Sequence, residues 1–180
     1  MRERVTDYIL KTNVLKEVKE DFLIRLSEGG YSREENPESH FCVYFAFYDP
    51  KKDRVFVGHH KKSDLFLFTG GHVDMGELPV ETLEREIFEE LGFDWKFSEE
   101  ITPSLFTITE INSKTVNCKS HYDIWYFFPS SEDNFNPDYS KLSEEFFRIS
   151  WLDINQAIRL IKDPATKEAL ELIKGELKRD

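Results

Sequence analysis

Five residues able to bind or move charge, Glu77, Arg85, Glu86, Glu89 and Glu90, fall within one stretch, GHVDMGELPVETLEREIFEELGF, at residues 71–93. The spacing is a glycine, five residues, a glutamate, seven residues, then Arg-Glu-apolar-x-Glu-Glu-x-Gly-apolar. Pro79 suits the first turn of a helix, where its missing N–H costs no bond, and Gly92 supplies the left-handed residue that stops one. A helix over 79–91 is therefore predicted. At about 100° per residue, Val80, Leu83, Ile87 and Leu91 form an apolar stripe, and Glu86, Glu89 and Glu90 form a second, acidic face. Standing at i, i+3 and i+4, those three glutamates have Cβ atoms about 5–6 Å apart.

Carboxylates that close repel one another unless something positive joins them. A solvated helix face would explain the acidity alone. It would not require Gly70-Gly71 directly after an apolar run, Glu77 at a fixed offset, or a single Arg85 inside an acidic stretch. A hard dication would. Mg2+ takes oxygen ligands in near-octahedral geometry, combining one or two carboxylates with waters and substrate phosphate oxygens; Mn2+ accepts the same donors. Without Cβ atoms, Gly70 and Gly71 leave backbone groups open to a ligand. The expected metal ligands are Glu86, Glu89, Glu90 and the Gly70 carbonyl, with Gly71 beside the substrate.

This segment resembles the Nudix box. The resemblance implies that Glu86, Glu89 and Glu90 bind metal and help activate water, with the base assigned to the three as a group. It also implies that Arg85 orients them and pairs with Glu77, so that Gly71, Glu77 and Gly92 serve the motif structurally. The implied fold is α/β: a mixed β-sheet in an α/β/α sandwich, reaching over residues 40–162. The implied activity is Mg-dependent hydrolysis of a phosphoanhydride bond in a nucleoside triphosphate or in a nucleoside diphosphate linked to another moiety. The chain departs from common family members at Thr69-Gly70-Gly71, where Pro-Gly-Gly is frequent, and lacks an arginine near His60. Isopentenyl diphosphate isomerases share the fold, but their active-site cysteine lies in Cys-Gly-His where this chain has Thr69-Gly70-Gly71-His72. A non-catalytic nucleotide sensor of this fold is the alternative reading; such modules commonly lose box glutamates, and all are kept here.

The elements that must position the box follow from periodicity and turn chemistry. Val14 or Leu15, Val18, Phe22 and Leu26 recur at helical spacing and Gly29-Gly30 ends that helix, which makes residues 1–35 a helical N-terminal extension to a domain at 36–180. Strands are predicted at 41–48, 54–59, 65–68, 104–111, 122–128 and 146–151, with helices at 154–162 and 165–178. Asp49-Pro50-Lys51-Lys52-Asp53 is a turn signal.

Substrate contacts must come from outside the box. His59, His60, Lys61 and Lys62 close a strand just ahead of it, and His60 is the favoured substrate residue. Glu144 and Glu145 are candidates for a further acidic contribution, as is the start of the strand at His121-Tyr122-Asp123. Phe45, Phe47, Trp125 and Tyr126 read as core more readily than as a base-stacking wall.

The chain has 180 residues, 39% hydrophobic and 14% aromatic, enough for a domain-sized core. Its formal net charge of −11 argues against nucleic acid as a partner and says little against a small nucleotide derivative, whose charge a metal meets locally. No apolar run approaches a membrane span. Cys42 and Cys118 show no metal-ligand spacing with each other or with histidines and read as reduced core thiols. A cytoplasmic protein is expected, with the N-terminal helix free to make a homodimer.

Overall fold

The structure, a computed structural model, describes residues 1–97, 101–111 and 117–177. The helices are α1 (Arg2–Lys11), α2 (Lys16–Glu28), α3 (Pro79–Leu91), α4 (Tyr139–Glu145), α5 (Ile154–Leu160) and α6 (Pro164–Leu177). The strands are β1 (Ser39–Asp49), β2 (Arg54–His60), β3 (Phe66–Leu67), β4 (Thr69–His72), β5 (Leu105–Glu110), β6 (Ser120–Pro129) and β7 (Phe146–Asp153). Hydrogen bonding orders the strands β3-β2-β1-β6-β5, with β4 on β1 and β7 on β2. The sheet is mixed. Ser120 N–H donates to the Glu38 carbonyl and Ser130 N–H to the Tyr48 carbonyl, a constant offset that makes β1 and β6 parallel. The pairs β1·β2, β2·β3, β2·β7 and β5·β6 are antiparallel.

Contacts group the chain into two units, the first made of Met1–Tyr44, Gly70–Arg85 and Lys96–Tyr126, the second of Phe45–Thr69, Glu86–Trp95 and Phe127–Asp180. In the first, Phe22 of α2 is fully buried, edge-on to Phe106 at 5.2 Å and Tyr122 at 5.0 Å. Burying such a ring contributes about 1.5–3 kcal/mol. Of the apolar stripe read from sequence, Leu15 stays exposed, whereas Phe22 and Leu26 are covered within the chain. Arg25, also buried, makes this possible by donating to the Gly29 carbonyl at 2.7 Å and to Ser39 Oγ at 3.2 Å, which satisfies its charge at the helix end. Gly29 and Gly30 have φ of 75° and 62°, the left-handed stop that the pair predicted.

In the second unit β2 pairs with β7 from Arg54↔Asp153 to Gly58↔Ile149. Gly58 is required there, since a Cβ would stand 2.5 Å from Phe146. Asp49 holds the turn between β1 and β2 by accepting from the N–H groups of Lys51 and Lys52 at 2.9 and 3.2 Å.

Two helices were not legible beforehand. α1 precedes the one expected N-terminal helix, and α4 occupies residues read as loop, so Glu144 and Glu145 belong to a helical turn. The predicted end of the last helix, Lys178, lies outside the described residues.

Candidate active site and a second cluster of donors

Gly70 and Gly71 sit on β4, and Gly70 has φ of 143°. A Cβ on Gly70 would meet the Val43 carbonyl oxygen at 2.3 Å and Tyr44 Cα at 2.7 Å. The glycine is therefore demanded by the close approach of β4 to β1, a packing reason in addition to ligand access. After β4 the chain turns through Asp74–Glu77, with Glu77 N–H donating to the Asp74 carbonyl at 3.1 Å and Gly76 at φ 88°.

Arg85 ties this turn to α3. Its Nε donates to Glu77 Oε1 at 2.8 Å, and its Nη2 donates both to Glu77 Oε2 at 3.0 Å and to the His72 carbonyl at 2.9 Å. Thr82 Oγ1 adds a bond to Glu77 Oε2 at 2.7 Å. Burial alone would raise the Glu77 carboxyl, but these donors and the Asp74 N–H outweigh it and hold it below the ordinary carboxylate range. The first turn is capped by Glu81, which accepts from Leu78 N–H at 2.7 Å.

Further along α3, Leu83, Ile87 and Leu91 are fully buried, as the apolar stripe required. Glu86 and Glu90 are 9% and 8% exposed, whereas Glu89 is open to solvent. Holding two carboxylates one helical turn apart with so little water is costly without positive charge or donors nearby. Gly92, at φ 75°, ends the helix by donating its N–H to the Phe88 carbonyl at 3.0 Å. The Leu91 carbonyl takes the Asp138 N–H at 2.8 Å, and Lys141 lies over the Phe88 ring at 4.9 Å. These contacts seat α4 beside the C-terminal half of α3.

At the end of α4, Glu145 lies 3.0 Å from Lys62 Nζ and 3.4 Å from His60 Nε2. The structure thus joins two residues chosen separately from sequence, His60 and Glu145, in one network. Burial lowers the His60 imidazole, while Lys62 and His60 hold Glu145 below its usual range against the opposing effect of its own burial. Glu144 is exposed.

Other expectations resolve differently. Asp123 is fully buried and accepts from Thr107 Oγ1 at 3.1 Å and Thr109 Oγ1 at 2.5 Å, which is an interior role. Phe45, Phe47, Trp125 and Tyr126 are all buried core. Both cysteines are free thiols, Cys42 buried and Cys118 partly so, as expected, but Cys42 has neighbours that chain spacing does not indicate. Cys42 and three histidines, His40, His72 and His121, bring one ligand atom each to within 4.8 Å of one another. The ring centroids of His40, His72 and His121 are 4.7, 4.9 and 5.1 Å apart pairwise. Burial, with His72 and His40 alongside, pushes His121 down to about 3. No chain spacing signals this cluster; the strand order creates it.

A family model described as NUDIX domain matches residues 32–173. An RNA pyrophosphohydrolase from Francisella philomiragia is 29% identical over 116 residues, covering 57% of this chain and 70% of that protein. Among solved structures, a NUDIX-family hydrolase from Clostridium perfringens superposes with a TM-score of 0.53 at 24% identity, covering 74% of this chain and 97% of that one. The dihydroneopterin triphosphate pyrophosphohydrolase of E. coli superposes with a TM-score of 0.53 at 18% identity, covering 80% of this chain and 97% of that one. These two carry the fold.

Proposed function

From its membership of the NUDIX domain family, as a Nudix-type hydrolase, we propose that this chain cleaves the phosphoanhydride bond of a small nucleotide in the cytoplasm with the help of Mg2+. The substrate class is a nucleoside diphosphate carrying a second moiety, or a nucleoside triphosphate. The observation that carries the reading is the placement of Glu86, Glu89 and Glu90 on one face of α3, with Glu86 and Glu90 nearly buried. Hard carboxylate oxygens of this kind suit a hard dication, so the donor set fits magnesium and accepts manganese.

Glu86, Glu89 and Glu90 would hold the ion, together with the Gly70 carbonyl. A bound dication supplies positive charge against the phosphate oxygens as negative charge develops there. One glutamate of the three accepts the proton of the attacking water, whose oxygen bonds to phosphorus as the bridging P–O bond breaks and the leaving phosphate departs with the electron pair. Arg85, fixed on Glu77 and the His72 carbonyl, positions the start of the acidic face. On the substrate side we assign His60 and the backbone of Gly71, with Glu144 and Glu145 at the end of α4.

A second reading extends the substrate to the triphosphorylated end of an RNA, because the curated relative acts on RNA. The net charge of −11 weighs against tracking a long polyanion. Purified protein with Mg2+ is given ADP-ribose, dinucleoside polyphosphates, nucleotide sugars, nucleoside triphosphates and a 5′-triphosphorylated oligonucleotide, and products are weighed by mass spectrometry beside Glu90→Gln. Cleavage of one small-nucleotide class, lost in the variant, is expected. Turnover of the oligonucleotide alone would replace this reading with the second, and no turnover of any substrate would remove both.

A further inference from the structure

We propose that His40, Cys42, His72 and His121 form a second metal site, built for a borderline divalent ion of the zinc type and separate from the carboxylates of α3. The strand order explains how they meet. His40 and Cys42 stand two positions apart on β1, so their side chains leave the same face of the strand. His72 ends β4, which pairs with β1, and Val73 N–H donates to the Phe41 carbonyl at 3.0 Å, setting the register beside them. His121 lies near the start of β6, on the other flank of β1, where Ser120 N–H donates to the Glu38 carbonyl at 3.1 Å. Three neighbouring strands therefore present four donors at one level of the sheet.

The donor set selects the ion. Three imidazoles and one thiolate are a four-coordinate tetrahedral set of the kind zinc takes, whereas magnesium prefers oxygen. With bonds of about 2.0–2.3 Å, the ligand atoms of such a site lie roughly 3.3–3.6 Å apart. The observed spread, within 4.8 Å, is wider than that by about an ångström, so an ion would draw the four side chains inward.

One ligand is already oriented. His40 Nδ1 lies 3.1 Å from the Asn36 carbonyl oxygen. A carbonyl only accepts, so Nδ1 carries the proton and Nε2 keeps its lone pair, the arrangement metal-bound histidines use. Cys118 Sγ stands 3.8 Å from that Nε2 and is the sulfur from which Cys42 must be distinguished.

The consequence is positional. His72 follows Gly70-Gly71 directly, and its carbonyl accepts from Arg85. An ion here ties the strand leading into the acidic helix to β1 and β6. The inference rests on this cluster alone and stands or falls apart from the hydrolytic reading.

Full-length protein is stripped with a chelator and titrated with Co2+, which reports geometry and sulfur ligation by absorption. One equivalent should bind with intense tetrahedral visible bands and a near-ultraviolet thiolate band, both displaced by Zn2+. Cys42→Ser should lose the thiolate band, while Cys118→Ser and Glu90→Gln keep it. A weak, octahedral spectrum in the unsubstituted protein overturns the proposal without recourse to any variant. So does a thiolate band that survives Cys42→Ser and disappears in Cys118→Ser. Circular dichroism checks that variants fold; should Cys42→Ser fail, His121→Gln decides, since binding unchanged by that substitution also overturns the site. Zn2+ should raise the melting temperature of the stripped Glu90→Gln protein by more than Mg2+ does.

Discussion

Arg85 donates to both carboxylate oxygens of Glu77, from Nε at 2.8 Å and from Nη2 at 3.0 Å, across eight positions of chain. The two-pronged geometry fixes the guanidinium plane, and the same Nη2 reaches the His72 carbonyl. A loop, a strand end and a helix are held by one side chain. Because the next residue is Glu86, any loosening of Arg85 is felt where the acidic face begins.

Arg85→Lys should therefore retain the charge yet lose the fork. The expected cost is about 1–3 kcal/mol in urea denaturation. A fall in kcat larger than the rise in KM would accompany it if Arg85 positions the carboxylates. An unchanged denaturation midpoint would show that the paired geometry contributes nothing to stability.

The same pair sets an acid limit. The Glu77 carboxyl is held below its ordinary value in the folded protein, so the unfolded chain binds its proton at a higher pH than the folded one. Its contribution is complete above the ordinary carboxylate pKa and disappears as pH falls through the lowered folded value. Between about pH 5 and 3 the urea midpoint should drop more steeply for the unsubstituted protein than for Glu77→Gln. Parallel pH curves for the two proteins would rule this out.

Glu90→Gln should leave the fold intact and reduce kcat by roughly 10²–10⁴. Mg2+ should raise the melting temperature of the unsubstituted protein. The rise produced by Mg2+ should shrink in the same variant. Activity close to that of the unsubstituted protein would take Glu90 out of the site.

Gly70→Ala should be among the most damaging small substitutions. The added methyl would meet the Val43 carbonyl oxygen at 2.3 Å, and φ at 143° is poorly tolerated by any residue with a Cβ. A loss of about 2–4 kcal/mol is expected in thermal or urea unfolding. By contrast Gly76, whose Cβ would meet nothing within 4 Å, should show only the smaller cost of its φ of 88° on replacement by Ala.

The helix carrying Glu86, Glu89 and Glu90 could be read from the chain because its signals are local. Pro79 and Gly92 mark its ends, and residues three and four apart share a face whatever surrounds them. β1 was legible for a similar reason, its apolar run being continuous. α1 and α4 were missed because neither shows a long apolar period: α1 buries Val5, Tyr8 and Ile9, and α4 buries Leu142. Their helicity depends on what they pack against.

The meeting of His60 with Glu145 spans 85 positions. It follows from the pairing of β2 with β7, which carries the end of α4 to that strand. The gathering of His40, Cys42, His72 and His121 depends likewise on β4 and β6 flanking β1. Sequence by itself determined which residues share one helix face, because helical geometry is set within a few bonds. Which residues meet across strands was decided only by the tertiary structure, since order and register in a sheet are chosen by the packing of the whole chain.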